Sequence, residues 1–251
     1  MSQHISEYIE KIGEEVLLDY SNYPFLSQQD YDFGYSIAAS AVFSSNIEGN
    51  TVDLNSYMNW RMAKKPSKPT KEIEEIENLI RAYEFCRQHP LTEDSLLKAH
   101  RLLSQTLLIK SKRGRYRQER TGVFSEKGLV YLAVEPEHLE GEMTLFFKEI
   151  TGLLHQKMNP AEILYYAAFI HLQFVHIHPF ADGNGRMARL LEKWFLIAHL
   201  GDKLWTLPSE KYYRERQQEY YRNLNLGVNF YELDYGRALP FLYMLPRTLK
   251  R

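Results

Sequence analysis

Two apolar-periodic segments joined by a short polar loop constrain the fold of this chain more than any other feature. The first begins at residues 159–162, where Asn suits the N-cap and Pro the first helical position. Pro179 ends that helix or its exit turn, and a second helix begins near Asn184. The apolar side chains at helical spacing are Ile163, Leu164, Phe169, Ile170 and Phe174, then Met187, Leu190, Leu191, Trp194 and Phe195. The sequence therefore predicts a helix, a short loop and a second helix.

The polar residues between these helices have the features of an anion site. Gly183 and Gly185 lack the Cβ atoms that would keep a phosphate away from backbone N–H groups. The start of a helix adds unpaired N–H donors and a positive dipole potential. Arg186 and Arg189 lie three residues apart on one helix face, and each guanidinium can bind phosphate oxygens through two N–H groups.

Two further residues suggest what such an anion undergoes. Asp182 would repel a phosphate unless a cation lay between them, so it predicts a Mg²⁺ ion shared with the phosphates. His178 is the one group here whose unperturbed pKa lies near neutrality, which makes it the candidate general base.

Three other interpretations of this loop compete. His178 on its own would be read as a hydrogen-bonded core histidine. The run from Asp182 resembles the start of a calcium loop, but Met187 and Lys193 stand where that loop needs Gly and Glu. His176 with His178 and Asp182 would suit a transition metal, although such a site has no need of arginines. An interpretation as a phosphate-binding loop accounts for more of these residues than any of the three others.

Composition limits the class of protein. The chain of 251 residues allows one sizeable core, or a core with a small appendage. Its net charge of −1 argues against direct nucleic-acid binding, which favours a basic face. The single cysteine, Cys86, lies on an apolar helical stripe and permits no disulfide within the chain, which fits a reducing compartment. No leader and no apolar run near 18 residues occur, so we expect a cytoplasmic protein without a membrane partner.

The rest of the chain is predicted to be all-α apart from one small β-hairpin. The hairpin is expected at residues 122–134, where two β-prone runs flank a turn that contains Gly128. Helices are expected, beside the two central ones, at residues 4–18, 29–46, 53–62, 70–88, 91–108, 136–155, 208–225 and 231–245.

Residues 178–189 resemble the signature of the Fic (filamentation induced by cAMP) family, His-Pro-Phe-x-Asp-Gly-Asn-Gly-Arg-x-x-Arg, at every defining position. Gly114-x-Tyr116-Arg117, followed by the hairpin, is similar to the family's flap, and the block at residues 220–224 also fits. The resemblance implies a mainly helical Fic fold over residues 35–245, with its inhibitory helix and C-terminal helices, preceded by a helical extension at residues 1–34.

Fic proteins mostly transfer AMP from ATP to a Ser, Thr or Tyr hydroxyl of a target protein, so the resemblance implies a protein adenylyltransferase. It implies that His178 deprotonates the hydroxyl and that Asp182 holds Mg²⁺ on the α- and β-phosphates. The implied nucleotide contacts are an anion cradle of Gly183, Asn184 and Gly185, the β-phosphate at Arg186, the γ-phosphate at Arg189, and a nucleoside pocket at Tyr221 and Asn229. The small Gly185 separates this sequence from the related Doc kinases.

Residues 44–49, Ser-Ser-Asn-Ile-Glu-Gly, resemble the inhibitory pattern that class II members of the family carry before the signature. The resemblance implies that Glu48 pairs with Arg189 and so removes the arginine that would hold the γ-phosphate. Ser44, one helical turn earlier, would cap or support the loop. The enzyme would then be self-inhibited.

The resemblance also implies partners and leaves alternatives open. A segment of the target would align on the 122–134 hairpin by β-augmentation, and family members often form homodimers. Instead of transferring AMP, the enzyme could remove it from a modified protein, with Glu48 positioning a water, or it could use another nucleotide. A non-catalytic nucleotide-binding regulatory module is the alternative from a different functional class.

Overall fold

The computed structural model describes residues 4–25, 32–65, 67–125 and 128–250. It is mainly helical with one antiparallel hairpin, as the sequence predicted. The helices are α1 (Ile5–Tyr8), α2 (Glu14–Asn22), α3 (Phe33–Ile47), α4 (Leu54–Met62), α5 (Lys71–Gln88), α6 (Glu93–Leu103), α7 (Pro136–Leu154), α8 (Pro160–Ile177), α9 (Asn184–Leu200), α10 (Ser209–Glu215), α11 (Gln217–Leu224) and α12 (Leu239–Leu242). No helix in these described ranges is both long and apolar enough to cross a membrane.

The pair α8 and α9 forms the centre of the molecule. A capping box begins α8, because Asn159 accepts from the Glu162 N–H and Glu162 accepts from the Asn159 N–H. Its residues are buried on nearly every side, as expected of a helix that is apolar all round. Helix α9 packs along α8, and α3, α5, α7 and α12 contact this pair. The loop between α8 and α9 is therefore held by the most deeply buried elements of the fold.

The N-terminal helices differ from the prediction in their boundaries. Instead of one helix at 4–18, a π-helical turn at Ile9–Gly13 joins α1 to α2, which continues to Asn22. Tyr8 is fully buried, with its ring centroid 5.1 Å from that of Tyr165 in α8, so these helices share the core. The start of the helix predicted at 29–46 lies outside the described residues, and α3 is described from Phe33. The division of the chain at residue 34 stays a prediction.

Three predicted helices are shorter or broken. The helix predicted at 91–108 ends at Leu103, and the one predicted at 208–225 divides into α10 and α11 at Arg216. The helix predicted at 231–245 is wrong, because that region contains two 3₁₀ turns and the four-residue α12. Pro240, which lacks a backbone N–H, stands in the first turn of α12 and cannot occupy a helix interior.

The hairpin consists of β1 (Gly122–Ser125) and β2 (Gly128–Leu132), paired antiparallel with an irregularity between Val123 and Phe124. Its tip, residues 126–127, lies outside the described residues. Near the end of β2, the Leu132 N–H donates to the Val228 carbonyl at 2.9 Å. The outer edge of β2 is therefore partly paired at this end.

Candidate functional site

Helix α8 ends at Ile177, and the residue that caps it, His178, has a left-handed backbone (φ 53°), the only positive φ among the described non-glycine residues. Each carbonyl at this helix end has a donor, as buried helix termini require. Phe174 O accepts from the His178 N–H (3.0 Å), Val175 O from His178 Nδ1 (3.1 Å), His176 O from the Tyr131 hydroxyl (2.6 Å) and Ile177 O from Arg117 Nη2 (3.4 Å). The chain reversal before the polar loop is therefore fixed by bonds from α8 itself, the hairpin and Arg117.

Arg117 connects the hairpin to the loop. Its side chain is buried, its Nε donates to His178 O at 2.8 Å, and its Nη2 donates to Val134 O at 2.5 Å. Its backbone N–H donates to Pro179 O at 3.0 Å. The sequence placed Arg117 beside the flap but assigned it no contact, and the structure makes it the link between the base of the flap and the loop.

We expect Arg117→Ala to lower the free energy of unfolding by about 3–5 kcal/mol, because it leaves several buried carbonyls without donors. Urea unfolding followed by circular dichroism measures this loss. Arg115→Ala is the matched control, since Arg115 is exposed, and should change stability by less than about 0.5 kcal/mol. Equal stability of the two variants would contradict the structural role of Arg117.

The imidazole of His178 is in the tautomer that a base requires. Val175 O can only accept, so Nδ1 carries the proton and Nε2 keeps its lone pair. Burial lowers the pKa of His178 below its ordinary value, although the Val175 bond and the Glu48 carboxylate act in the opposite direction. The imidazole is therefore neutral at neutral pH, with a free nitrogen.

The loop keeps its shape through two side chains: Asn184, whose role differs from the one expected, and His100, for which the sequence predicted no role. Asn184 turns back on the loop, where Oδ1 accepts from the Phe180 N–H (2.9 Å) and Nδ2 donates to Phe180 O (2.8 Å). Its side chain is thus committed, and only its backbone N–H is available to an anion cradle. His100 accepts from the Gly114 N–H (3.0 Å) and donates to Asp182 O (3.0 Å). Burial lowers the pKa of His100 to about 4, so it stays neutral.

Asp182 is the single acid of the loop, and 49% of its side chain is accessible. Its Oδ1 accepts from the Gly183 N–H at 2.6 Å. Burial of part of the group raises its pKa above the ordinary value, and Glu48 contributes to the same effect. No group of three or more His, Cys, Asp or Glu in the described residues could hold a metal. A single exposed carboxylate nevertheless fits Mg²⁺, which takes most of its ligands from phosphates and water.

The two arginines at the start of α9 both have carboxylate partners. Arg186 forms an ion pair with Glu75 of α5 and a longer one with Asp182 at 3.3 Å. Its Nε is buried and has no acceptor among the described residues. Nothing in the sequence marks Glu75 as a partner, because it lies 111 positions away.

Arg189 is fully buried, and its guanidinium is surrounded by acceptors. Ser44 accepts twice, through its hydroxyl from Nε and through its carbonyl from Nη2, both at 2.9 Å. Glu48 Oε1 accepts from Nη2 at 2.7 Å, and the Tyr220 hydroxyl accepts from Nη1 at 3.1 Å. Ser44 thus contacts the arginine, in addition to any support it gives the loop at the end of α3.

The Glu48 carboxylate lies beside Gly185, at the start of α9. A side chain at position 185 would collide with Glu48 Oε1, and Arg189 Nη1 lies 3.3 Å from the same point. Burial alone would raise the pKa of Glu48, but Arg189 and Arg186 outweigh it and hold that pKa below its ordinary value. The space for which the sequence predicts an anion therefore contains an ionised carboxylate of the chain itself.

The remaining residues considered from the sequence lie around this centre. The Tyr221 hydroxyl donates to Ile47 O at 3.0 Å, so this residue holds the end of α3 while 45% of its surface stays exposed. Asn229 caps a 3₁₀ turn at Phe230–Glu232. The His176 ring turns into the core, bonding Leu224 O at 2.9 Å and Tyr235, and does not join His178 and Asp182 in a metal site.

Comparison with known proteins gives a consistent picture. Residues 90–196 match the model of the Fic/DOC family. A protein adenylyltransferase Fic of Nematostella vectensis is 29% identical over 221 residues, which cover 84% of this chain and 46% of that protein. A protein adenylyltransferase Fic of Culex quinquefasciatus is 39% identical over 61 residues, 23% of this chain and 12% of that protein. The chain thus spans less than half the length of these relatives.

Solved structures are similar over nearly the whole chain. A Fic family protein from Desulfovibrio desulfuricans G20 superposes with a TM-score of 0.78 at 28% identity, covering 99% of this chain and 72% of that one. A Fic domain containing signaling protein from Bacteroides thetaiotaomicron has a TM-score of 0.71 at 23% identity, with 94% and 93% covered. The second likeness concerns the fold alone.

Proposed function

This chain belongs to the Fic family, and from that premise we propose that it is a self-inhibited protein adenylyltransferase. It transfers AMP from ATP to a hydroxyl of a target protein, or of itself, and releases pyrophosphate. The observation that carries the proposal is the neutral His178 with a free Nε2 in the loop that leads to two arginines. The curated relatives with matching sequence are named protein adenylyltransferases, which supports the same reaction.

The proposed reaction is an in-line displacement at the α-phosphorus. Nε2 of His178 accepts the proton of the target hydroxyl, whose oxygen forms the new bond to phosphorus. The bond between the α-phosphorus and the bridging oxygen of pyrophosphate breaks, and pyrophosphate leaves with its electron pair. Because Val175 and Arg117 fix the backbone and ring of His178, the base needs little reorganisation before it acts.

We assign the polyphosphate to the start of α9. The backbone N–H groups of Asn184 and Gly185 and the helix dipole favour an anion there, whereas the Gly183 N–H already donates to Asp182. Arg186 and Arg189 would neutralise the β- and γ-phosphates. Asp182 would hold Mg²⁺, which withdraws charge from the phosphates when bound. Arg186 is already oriented by Glu75, so it can meet a phosphate without losing its present geometry.

Self-inhibition follows from the position of Glu48. Its carboxylate uses Nη2 of Arg189 and lies against Gly185, where we assign the γ-phosphate. Two anions cannot share that space without a strong repulsion, so ATP binds poorly or with its α-phosphate misplaced. Release of the end of α3 would restore the site.

The target is proposed to lie along the hairpin. Among the described residues, no backbone hydrogen bond pairs the outer edge of β1 with another element, whereas the edge of β2 is partly paired by residue 228. Val123 and Leu129 are exposed on the hairpin and can contact side chains of an extended segment. The proposal includes three further assignments: a cytoplasmic location, a homodimer and a nucleoside pocket at Tyr221.

Removal of AMP is the second candidate, and one observation favours it. Oε1 of Glu48 binds Arg189, whereas Oε2 has no hydrogen bond among the described residues. An ionised carboxylate with a free oxygen near His178 can position a water for attack on a phosphodiester. Glu48 would then inhibit the transfer of AMP and be required for its removal.

Mass spectrometry of the wild-type protein and Glu48→Gly after incubation with Mg²⁺ and one nucleotide at a time separates these functions. We expect a mass increase of one AMP with ATP, larger in the variant, and a smaller or no increase with UTP, GTP or CDP-choline. If a group from another nucleotide is added instead, that nucleotide and not ATP is the donor. Two results together would favour the second candidate. The variant would add no AMP to itself or to added cell protein, and only the wild-type protein would remove AMP from a modified protein.

A further inference from the structure

The segment that joins α6 to the hairpin concentrates positive charge that the proposed reaction does not use. Residues 110–120 hold six basic residues and one acidic residue, in a chain whose net charge is −1. The segment's own balance is +5, so the remainder of the chain carries −6. The charged residues of the segment are Lys110, Lys112, Arg113, Arg115, Arg117 and Arg120, with Glu119.

Only some of these cations have internal partners. Arg117 is committed as described above, and Arg113 donates to the carbonyls of Gln105 and Leu108, each at 2.7 Å. Lys112 pairs with Glu119 at 2.7 Å, an exposed pair of small strength.

The other three cations are exposed and available. In the described part of the chain, neither Lys110 nor Arg115 has a carboxylate within ion-pair distance, and both face solvent. Arg120 is also exposed. The pKa of Glu135 is lowered, first by its hydrogen bond with Tyr231 and to a smaller extent by the charge of Arg120. Two other acids lie near the segment: Glu93 accepts from the Tyr116 hydroxyl at 2.7 Å, and the pKa of Tyr116 is raised first by burial, then by Glu93 and Glu140. We call Lys110, Lys112, Arg115 and Arg120 the basic surface.

The basic surface borders the loop that carries the proposed base. A cavity of about 110 Å³ is lined by Ser111, Lys112, Arg115, Tyr116, Arg117, Gln118, Glu119 and Ala181. Ala181 directly precedes Asp182, and Arg117 in the same lining bonds His178 O. The segment then leads into β1 at Gly122. A chain that lies on the hairpin with a hydroxyl at His178 therefore has the basic surface next to it.

We propose that the basic surface binds an acidic segment of the target protein, adjacent to the hydroxyl that receives AMP. This inference rests on the proposed function, and it names the class of substrate: a hydroxyl in a sequence rich in Asp and Glu. Exposed charges of one sign steer an oppositely charged partner and select its register, even where each pair contributes little. The negative balance of the remaining chain favours an acidic protein segment over a nucleic acid, whose phosphates would extend past the basic surface.

Binding of two labelled peptides of equal length tests this proposal without catalysis. One has a Thr flanked on both sides by Glu in a Gly/Ala background, and the other has Gln in place of each Glu. Fluorescence anisotropy with the wild-type chain should give a dissociation constant at least about tenfold lower for the Glu peptide at low ionic strength, with the difference shrinking as salt is added.

Charge reversal locates the effect. Lys110→Glu with Arg115→Glu should remove the preference for the Glu peptide. The matched control, Lys148→Glu with Lys157→Glu, reverses two exposed lysines of α7 and the loop after it and should keep the preference. Equal binding of both peptides, or a preference that survives the first double variant, would overturn the proposal. So would tighter binding of a single-stranded RNA of matched charge that depends on Lys110 and Arg115.

A separate measurement tests the proposed function. Labelling of Glu48→Gly by ATP is measured without peptide and without changes in the basic surface. A Glu-peptide preference that depends on Lys110 and Arg115, in a chain that never transfers AMP, would keep the acidic-segment site and reject the reaction. Transfer of AMP with no such preference would reject the site and keep the reaction.

Discussion

Replacing His178 with alanine is expected to lower AMP transfer by about 10²–10⁴-fold, the range that general-base catalysis contributes. ATP binding should change little, because the imidazole faces the attacking hydroxyl and the phosphates are assigned to α9. The comparison belongs in the Glu48→Gly background, where transfer is large enough to measure. Radiolabel from the α-phosphate gives the rate, and calorimetric titration gives the ATP affinity.

The pH dependence provides a second view of the same residue. A protonated imidazole cannot accept the hydroxyl proton, so kcat/KM should fall as the pH drops through the pKa of His178 in the free enzyme. Because burial lowers that pKa, the fall should be centred below the ordinary histidine value of about 6.5. His138→Ala, at an exposed position of α7, is the control and should leave rate and profile unchanged. A His178→Ala variant with undiminished rate would exclude this residue as the base.

Glu48→Gly is expected to raise AMP transfer at least about tenfold, equivalent to roughly 1.4 kcal/mol. The substitution removes the carboxylate that uses Arg189 and occupies the space beside Gly185. Glu48→Gln should give an intermediate gain, since it keeps the volume and loses the charge. ATP-dependent labelling at several ATP concentrations separates a gain in affinity from a gain in turnover.

The control for Glu48 is Glu74→Gln, which neutralises an exposed carboxylate of α5 and should not alter labelling. Equal labelling of wild type and Glu48→Gly would remove the inhibitory role. An increase that His178→Ala does not abolish would show that the label arises from another reaction.

The sequence predicted the helices whose ends carry specific caps. Thr70, Thr92 and Asn159 each accept the hydrogen bond from the third residue of the helix that follows, and α5, α6 and α8 begin within two residues of the starts predicted from the sequence. The helix predicted at 231–245 failed because a helical spacing of apolar residues was given more weight than Pro240. Periodicity alone does not distinguish a helix from a buried irregular segment.

The residues of the candidate site also fall into two groups, those that the sequence indicated and those that it did not. The local residues of the signature loop could be found from the sequence, because their types and spacing already imply an anion and a base. The residues that position them could not, since Arg117 acts mainly through backbone carbonyls and Glu75 meets Arg186 from another helix. His100 lies on an apolar stripe of α6, where a histidine would ordinarily be taken for a core residue. Contacts of this kind depend on the packing of helices far apart in the chain.

We propose that the polyphosphate of ATP lies at the start of α9, in the space that Glu48 now occupies. The decisive measurement is a crystal structure of Glu48→Gly with Mg²⁺ and an ATP analogue that resists cleavage after the α-phosphate. We expect the γ-phosphate to contact Arg189 and the α-phosphorus to face Nε2 of His178. An analogue bound elsewhere, or a His178 ring turned away from the α-phosphorus, would contradict it.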